Sequence, residues 1–332
     1  MTIKVAINGF GRIGRLVLRA VHELGRDDIE VVAINDLAPI GASAHLFEFD
    51  SVHGRFRNPV SHTDTSIDVG SGPIAYTSEP DPARLPWAGI DIVLECTGIF
   101  KGDRALVHLE NGARRVLVSA PSKGADKTIV YGVNHDTLGP GDLHVSNASC
   151  TTNCLAPPLK VLNDAIGVTK GFMTTVHAYT GSQPVLDREQ KDLHRARAAA
   201  LSMIPTTTGA TSAVELVLPE LSGRLGGVAI RVPTPNVSCV DMTFEAARDT
   251  SVQEINDAIR AAADGAMQGV LAVTDKPLVS IDFNHDPASS HFATDQTHVI
   301  GGNMVRFLTW YDNEWGFSCR LLDTAREMAR YL

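Results

Sequence analysis

The chain has 332 residues, of which 44% are hydrophobic and 20% charged, a composition typical of a globular protein with about two domains. A formal net charge of −9 argues against a general nucleic-acid binder and against docking on acidic membranes. The five cysteines do not form the pattern of a disulfide framework, and we find neither a long apolar span nor a signal-peptide pattern. We therefore expect a cytoplasmic protein in a reducing compartment.

The start of the chain has the pattern of a strand, a glycine turn, a helix and a second strand. An apolar run from Ile3 to Asn8 precedes the segment Gly9-Phe10-Gly11-Arg12-Ile13-Gly14, after which apolar residues recur at helical spacing. A second apolar run ends at Asp36, about 20 positions after the last glycine. This context makes the glycine motif a prediction of dinucleotide binding.

Each residue of this motif has a physical role. Gly9 permits the tight turn, Gly11 lets the backbone approach a pyrophosphate, and Gly14 lets the helix lie close to the strand. The carboxylate of Asp36 would accept hydrogen bonds from the adenine-side ribose hydroxyls and would repel a 2′-phosphate. We therefore expect NAD as the cofactor in preference to NADP.

The rest of the first half fits a parallel-sheet domain. Apolar runs at Ile90–Cys96 and Val116–Ser119 predict strands, with a helix around Ala105–Leu109 between them. Thr97 and Ser119 follow these strands, at the sheet edge where ligands bind in open α/β folds. The segment Ser66–Tyr76 alternates around two glycines and predicts a hairpin.

The stretch Ser146–Cys154 lies where a strand gives way to a helix, which places Cys150 in the first helical turn. Unpaired backbone N–H groups and the helix dipole favour a thiolate at such a position. A single cysteine is more often a small buried hydrophobe, and we interpret Cys154 in that way. The hydroxyl and amide neighbours of Cys150 favour a reactive thiol.

The second half has a different organisation. His177 ends a predicted strand and precedes the long polar stretch 179–197, which we interpret as an ordered functional loop. Strands then follow without alternating helices, until an amphipathic helix ends the chain. These patterns predict an α/β protein with a dinucleotide-binding domain and a second domain of α+β type with a largely antiparallel sheet.

His177 is our candidate partner for Cys150. An imidazolium beside the sulfur would add to the stabilisation that the helix start gives the thiolate. None of the 12 histidines has metal-ligand spacing, so we expect no metal site. A thiolate beside a bound nicotinamide would add to an aldehyde, and the adduct would lose hydride to leave an acyl thioester.

The chain closely resembles phosphorylating glyceraldehyde-3-phosphate dehydrogenase along essentially its whole length. The motifs are INGFGRIGR, SNASCTTNCLAP, HAYT, RARAAA, IPTTTGA, RVPTPNVS and WYDNEWGFS. The resemblance implies a homotetramer with a Rossmann NAD-binding domain at residues 1–148, completed by a C-terminal helix at 313–332. It also implies a catalytic domain at residues 149–312.

The resemblance also implies roles for individual residues. Cys150 would be the nucleophile, with His177 as its activating partner and acid/base. Besides the glycines, Asp36, Thr97 and Ser119, the expected cofactor contacts are the backbone N–H groups of Arg12 and Ile13 and the side chain of Asn313. The C3 phosphate would be held by Thr180, Arg195 and Arg231, and inorganic phosphate by Ser149, Thr151, Thr208 and Gly209.

Some positions depart from the family pattern. Arg188-Glu189 replaces a common Leu-Pro pair in a loop that, in the family, reaches the neighbouring subunit's adenosine end. Arg188 would soften the discrimination against NADP, so NADP use stays open beside NAD. Gly181-Ser182 replaces a frequent Asn-Asp pair, and Phe317 replaces a frequent Tyr.

The expected function is reversible oxidative phosphorylation of D-glyceraldehyde 3-phosphate to 1,3-bisphosphoglycerate through a Cys150 thioester. Three alternatives stay open at this stage. One is erythrose-4-phosphate dehydrogenase, in which water takes the acyl group. The others are a hydrolase of the Cys–His type, which has no use for Asp36, and a redox-sensing or partner-binding protein that acts through Cys150.

Overall fold

The computed structural model describes residues 2–332, which divide into two compact units. Unit 1 contains the residues up to Ile129, together with His135–Ala148 and Ser318–Leu332. Unit 2 contains Val130–Asn134 and Ser149–Phe317. These units differ from the predicted domains in two places. Residues 313–317, which include the start of the C-terminal helix, group with unit 2 and not with the rest of that helix. Val130–Asn134 also groups with unit 2, although it lies in the predicted first domain.

Within residues 2–332, unit 1 is built on a nine-stranded sheet with a separate short hairpin. Its helices are α1 (Arg12–Glu23), α2 (Ile40–Glu48) and α3 (Val107–Glu110), with 3₁₀ turns at Pro82–Arg84, Gly102–Leu106, His135–Thr137 and Ala329–Tyr331. Its strands are β1 (Ile3–Asn8), β2 (Ile29–Asn35), β3 (Phe49–Asp50), β4 (Gly54–Arg55), β5 (Ser61–His62), β6 (Ser66–Asp68), β7 (Pro73–Thr77), β8 (Ile92–Glu95), β9 (Arg115–Val118), β10 (Lys127–Thr128) and β11 (His144–Ser146).

The sheet of unit 1 has the order β10-β11-β9-β8-β1-β2-β7-β6-β5. Neighbours from β10 to β7 are parallel, and β6 and β5 add antiparallel strands at one edge. The predicted hairpin at Ser66–Tyr76 is therefore confirmed as β6 and β7. In the centrally placed β1 only Lys4 is exposed, as expected for a parallel strand that is covered on both faces. The carboxyl ends of β1, β2, β8 and β9 thus meet at one edge.

The last residues of the chain are tied to unit 1 by polar contacts. Asp323 pairs with Arg26 at 2.7 Å, and Thr324 donates to the buried Asn147 at 2.8 Å. Arg115 donates to the Tyr331 carbonyl at 2.8 Å. These bonds explain why the end of the C-terminal helix, α7 (Trp315–Met328), groups with the first half of the chain.

Unit 2 has a seven-stranded sheet within the described residues, with the order β13-β14-β12-β15-β18-β17-β16. Four neighbouring pairs are antiparallel, while β12/β14 and β16/β17 are parallel. The helices are α4 (Cys150–Ile166), α5 (Ala210–Val217) and α6 (Val252–Asp264), with 3₁₀ turns at Pro219–Leu221 and Ser280–Phe283. The strands are β12 (Val168–Ala178), β13 (Ile204–Thr206), β14 (Leu225–Val232), β15 (Ser238–Ala246), β16 (Leu271–Thr274), β17 (Ser290–Ile300) and β18 (Met304–Tyr311).

The predicted α/β class and the largely antiparallel second sheet are confirmed. The predicted long loop contains no helix or strand between residues 179 and 203. Along residues 2–332, no helix combines the length and the apolar character needed to cross a membrane.

An ion pair fixes the start of α1. Arg12 donates to the buried Asp50 at 2.6 Å, and the N–H groups of Val52 and His53 donate to the same carboxylate. Burial alone would raise the pKa of Asp50, but these hydrogen bonds lower it from 3.8 to about 2. The charged form is therefore favoured by folding. Its stabilisation is complete above pH 3.8 and disappears as the pH falls through about 2.

We expect Asp50→Asn to lower the free energy of unfolding at pH 7 by about 2 kcal/mol, because one pKa unit corresponds to about 1.4 kcal/mol. The difference from the wild type should shrink as the pH falls below about 4. Denaturant unfolding at several pH values measures it. Asp64→Asn, at an exposed position, is the matched control and should change little. An equal loss at all pH values would contradict the ion-pair explanation.

Candidate active site

The start of α4 places Cys150 at the first helical position. Ser149 is the N-cap, and its hydroxyl accepts the Thr152 N–H at 3.1 Å. The preceding Ala148 has a φ of 55°, which is uncommon for a residue with a side chain. Such local strain is typical of functional turns. The predicted strand, turn and helix around Cys150 are therefore confirmed.

The structure brings Cys150 and His177 together. The Sγ atom lies 3.5 Å from His177 Nε2, although the residues belong to different elements, α4 and β12. His177 is 4% exposed, and its other ring nitrogen, Nδ1, lies 2.6 Å from the Ala178 carbonyl oxygen. A carbonyl oxygen only accepts, so this contact assigns the proton to Nδ1 and leaves the Nε2 lone pair toward the thiol.

Arg231 packs against the same histidine. Its Nη1 donates to the Ala178 carbonyl at 2.9 Å and lies 2.8 Å from His177 Nδ1. Both groups reach the Ala178 carbonyl, so we interpret Nη1 and Nδ1–H as two donors that share this acceptor, with the arginine charge beside the imidazole. Register fixes this arrangement, since His177 and Arg231 are direct partners across the parallel pair β12/β14.

The electrostatics differ from the expected imidazolium–thiolate pair. Burial raises the pKa of the Cys150 thiol, and Arg231 and the hydrogen bonds from Thr151 oppose that shift. Burial, and next the charge of Arg231, lowers the pKa of His177 to about 3. The chain alone therefore favours a thiol beside a neutral imidazole, which is a proton acceptor in place.

Two arginines supply unused donors near His177. The Nε atoms of Arg195 and Arg231 are buried and, among the described residues, have no hydrogen-bond partner. Both positive charges lower the pKa of His177, and Arg195 also lowers the pKa of Arg231, so the two arginines belong to one electrostatic cluster. Buried unpaired donors and like charges in one cluster favour a bound anion. The third residue predicted to bind the C3 phosphate is Thr180, whose hydroxyl contacts Ser182 Oγ at 3.1 Å.

The other four predicted phosphate ligands lie at two helix starts. Ser149 caps α4, Gly209 is the N-cap of α5, and Thr208 accepts the Ala210 N–H at 3.2 Å. Thr151 Oγ1 contacts the hydroxyl of the buried Tyr311 at 2.8 Å. Helices α4 and α5 pack together. Within residues 2–332, however, no hydrogen bond directly joins the pair Ser149 and Thr151 to the pair Thr208 and Gly209.

The glycine motif has the geometry of a dinucleotide site within unit 1. Gly9 has a φ of +94°, and a Cβ there would lie 2.6 Å from the Thr97 nitrogen. A Cβ on Gly14 would lie 2.1 Å from the Gly9 oxygen, so the helix could not approach the turn. At Gly11 a Cβ would meet nothing within 4 Å, which leaves open space for a phosphate group. The residues present therefore fit NAD.

A cavity of about 300 Å³ adjoins this turn and is lined by Gly9, Gly11, Asp36, Thr97 and other residues of unit 1. The Asp36 carboxylate accepts the N–H groups of Phe10 at 2.6 Å and Ala38 at 2.8 Å, so its position is fixed. Ser119, after β9, does not line the cavity; its hydroxyl donates to the Glu95 carbonyl at 2.9 Å.

A buried polar network supports this edge of the sheet and was missed in the sequence. Glu95 accepts Asn8 Nδ2 at 2.6 Å, the Thr97 N–H at 2.7 Å and His108 Nε2 at 3.0 Å. Trp87 donates to His108 Nδ1 at 2.9 Å. Since an indole only donates, the proton of His108 must be on Nε2 and directed at Glu95. Apart from Thr97, the bonded partners lie 13 to 87 residues apart along the chain, and no local motif marks them.

The last predicted cofactor ligand, Asn313, is buried within unit 2. Its Oδ1 accepts the hydroxyl of Ser238 at 2.8 Å. Ser238 was also missed in the sequence, although it lies within RVPTPNVS, one of the motifs that carries the resemblance.

Both halves of the chain are similar to known proteins. Residues 3–103 match the sequence profile of the glyceraldehyde 3-phosphate dehydrogenase NAD-binding domain, and residues 149–313 match that of its C-terminal domain. The chain is 68% identical to glyceraldehyde-3-phosphate dehydrogenase of Cereibacter sphaeroides, with 100% of each chain covered. It is 65% identical to that of Xanthobacter flavus and 53% identical to that of Geobacillus stearothermophilus, each with 99% of both chains covered.

Proposed function

This chain belongs to the glyceraldehyde-3-phosphate dehydrogenase family, and we propose that it converts D-glyceraldehyde 3-phosphate and inorganic phosphate to 1,3-bisphosphoglycerate reversibly. It is an NAD-dependent oxidoreductase. One observation carries the proposal. The thiol at the start of α4 lies 3.5 Å from a buried neutral histidine, beside two buried arginine Nε donors that no described residue pairs.

The mechanism follows from these positions. His177 Nε2 takes the thiol proton as Cys150 Sγ bonds to the aldehyde carbon, which gives the oxyanion of a thiohemiacetal and an imidazolium. Arg231 and Arg195 hold the C3 phosphate, with Thr180 as a hydroxyl donor. The phosphate charge offsets that of Arg231, so substrate binding makes His177 a stronger base at the moment it is needed.

Bound NAD would supply the hydride acceptor that turns the thiohemiacetal into a thioester. The cofactor would be held by the N–H groups of Arg12 and Ile13, the three glycines, Asp36, Thr97, Ser119 and Asn313. Ser149, Thr151, Thr208 and Gly209 would bind the inorganic phosphate that attacks the thioester. After that attack His177 returns the proton to the sulfur. Hydroxyl and backbone donors suit an anion that must move and react, since they carry no fixed charge.

A spectrophotometric assay of NADH formation tests the function. Aldehyde and NAD with phosphate or arsenate should give sustained turnover, and aldehyde and NAD alone at most one equivalent of NADH per site. Equal rates with and without phosphate would favour water as the acyl acceptor, as in erythrose-4-phosphate dehydrogenase, an activity that the relatives do not favour. If the chain hydrolysed a substrate in the absence of NAD and formed no NADH, the result would favour the Cys–His hydrolase and contradict the proposal.

Asp36 gives a prediction on cofactor choice. Asp36→Asn keeps the shape and one acceptor oxygen but removes the charge. We expect the ratio of kcat/KM for NAD to that for NADP to fall about tenfold or more, since hydrogen bonds to charged groups contribute about 1.5–3 kcal/mol. Steady-state kinetics with both cofactors measure it. An unchanged ratio would contradict this role of Asp36. Arg188→Leu, which should raise the ratio, tests separately whether Arg188 softens the discrimination.

We infer a homotetramer as the working form. The loop between β12 and β13 exposes large apolar side chains that a monomer would leave in water. They are Val185 at 78%, Leu186 at 72%, Leu193 at 80%, Leu201 at 78% and Met203 at 75% exposure. Light scattering of the purified chain tests this, and a monomer at micromolar concentration would contradict it.

We propose residues 1–148 with 313–332 as the NAD-binding domain, and residues 149–312 as the catalytic domain. We also propose a cytoplasmic location, because all five cysteines are free thiols, as expected in a reducing compartment.

A further inference from the structure

A buried serine links the strand of His177 to the side chain of Asn313. The Ala178 N–H donates to Ser238 Oγ at 3.0 Å, and Ser238 Oγ donates to Asn313 Oδ1 at 2.8 Å. All three residues are at most 5% exposed. Ser238 is the first residue of β15 and follows Val237, whose φ of 65° is an outlier for a β-branched residue. The backbone is thus strained at the point that aims this hydroxyl.

The direction of each hydrogen bond is determined by chemistry. A backbone N–H only donates, so Ser238 Oγ must accept from Ala178. The hydroxyl proton is then available for one acceptor, and the Asn313 carbonyl oxygen is within reach. The opposite orientation of the amide would leave the hydroxyl proton without this acceptor in a buried site. Ser238 therefore fixes which end of the Asn313 amide is the oxygen.

The backbone around Asn313 is held separately. Asp312 Oδ1 accepts the N–H groups of Glu314 at 2.9 Å and Trp315 at 2.7 Å, and Asp312 Oδ2 accepts Asn236 Nδ2 at 2.8 Å. These bonds keep the main chain in place without any contribution from Ser238. Loss of the Ser238 hydroxyl would therefore free the orientation of the Asn313 amide without displacing its backbone.

We propose that Ser238 is a positioning residue that orients the Asn313 amide so that the nicotinamide presents one face to the thiohemiacetal. This inference rests on the proposed function, in which Asn313 binds the nicotinamide carboxamide. A carboxamide has a donor end and an acceptor end, so an Asn313 amide with a fixed orientation accepts only one rotamer of the ring. The reaction itself is unchanged: hydride leaves C1 of the adduct and an acyl thioester remains on Cys150.

The test uses aldehyde deuterated at C1 and reads by NMR which face of the NADH product carries deuterium. We expect the wild type to label one face and Ser238→Ala to label both. The fraction of deuterium on the second face of NADH should rise about tenfold in the variant, because the loss of one hydrogen bond predicts a change of that size. Transferred nuclear Overhauser effects of NAD bound without aldehyde report the ring orientation independently of turnover. They should show one rotamer in the wild type and two in the variant.

Matched variants separate positioning from stability. Ser290→Ala removes another buried hydroxyl of the same sheet, which bonds Thr309, and it should keep one labelled face. Ser238→Cys keeps the volume of the side chain but offers only a weak donor, so we expect it to label both faces. It serves as the test variant if Ser238→Ala does not fold. Because Ser238 acts through Asn313, adding Ser238→Ala to Asn313→Ala should not change the labelling further.

The two proposals fail in different ways. A wild-type chain with no dehydrogenase activity would overturn the proposed function. An active wild type, together with serine variants that label a single face and bind NAD in one rotamer, would overturn the role of Ser238. A further change of labelling in the double variant would also overturn it.

Discussion

We expect Cys150→Ser to reduce kcat by at least about a thousandfold, the scale seen when a covalent nucleophile is removed. A serine hydroxyl has a far higher pKa than a thiol, and the neutral His177 beside it is too weak a base to ionise it in the ground state. No thiohemiacetal and no thioester then form. The measurements are the rate of NADH formation and the mass of the chain after incubation with aldehyde and NAD, which should show no acyl adduct.

NAD binding should survive this change, because Cys150 neither lines the dinucleotide cavity nor belongs to the proposed cofactor ligands. Calorimetric titration measures that affinity. Cys154→Ser is the matched control, four residues further along α4, where the thiol packs between the hydroxyls of Ser290 and Thr309. It should keep most of the activity. Turnover by Cys150→Ser at the wild-type rate would exclude the thioester route.

The local patterns of the sequence predicted those parts of the site that short-range physics determines. Ser149 caps the helix that begins at Cys150, and the glycine turn follows β1, because caps and tight turns depend on neighbouring residues. The hairpin of β6 and β7 followed from alternation around glycines. In these segments propensity and tertiary structure agree.

The longest missed strand, β17, shows where such patterns fail. Its sequence, SHFATDQTHVI, contains Asp295, Gln296 and His298, and it lacks the apolar alternation of a half-buried strand. Its pairing with β18 also shifts register between Ala293 and His298, which interrupts any regular period. Contacts with neighbouring strands form it, and these contacts are not visible in a local window.

The electrostatics of the thiol also escaped local reasoning. A helix start favours a thiolate, but this argument does not include the burial of Cys150 or the charge that Arg231 places beside His177. Arg231 reaches the histidine only through the register of β12 and β14, 54 residues along the chain. The contacts of Ser238 and Tyr311 arise in the same way, from hydrogen bonds between elements that are distant in sequence.

His177→Asn should lower kcat by about a hundredfold to ten-thousandfold, the usual contribution of a positioned acid or base. The asparagine Nδ2 can take the place of the imidazole Nδ1 and donate to the Ala178 carbonyl, so the β12 segment stays intact. The variant has no atom at the Nε2 position, so the proton acceptor that lies 3.5 Å from Cys150 Sγ is lost. The measurements are kcat and the rate of Cys150 alkylation by iodoacetamide at pH 7, both of which should fall.

A second buried histidine provides the control for this result. His291 is 6% exposed in the same unit and pairs with Asp286 at 2.8 Å, outside the Cys150 site. His291→Asn removes a buried imidazole and lowers stability without removing the proton acceptor. If kcat falls equally in both variants, the effect is structural. If it falls only in His177→Asn, while NAD affinity stays constant, the loss belongs to the Cys150 site and supports proton transfer at Nε2 as the step that His177 performs.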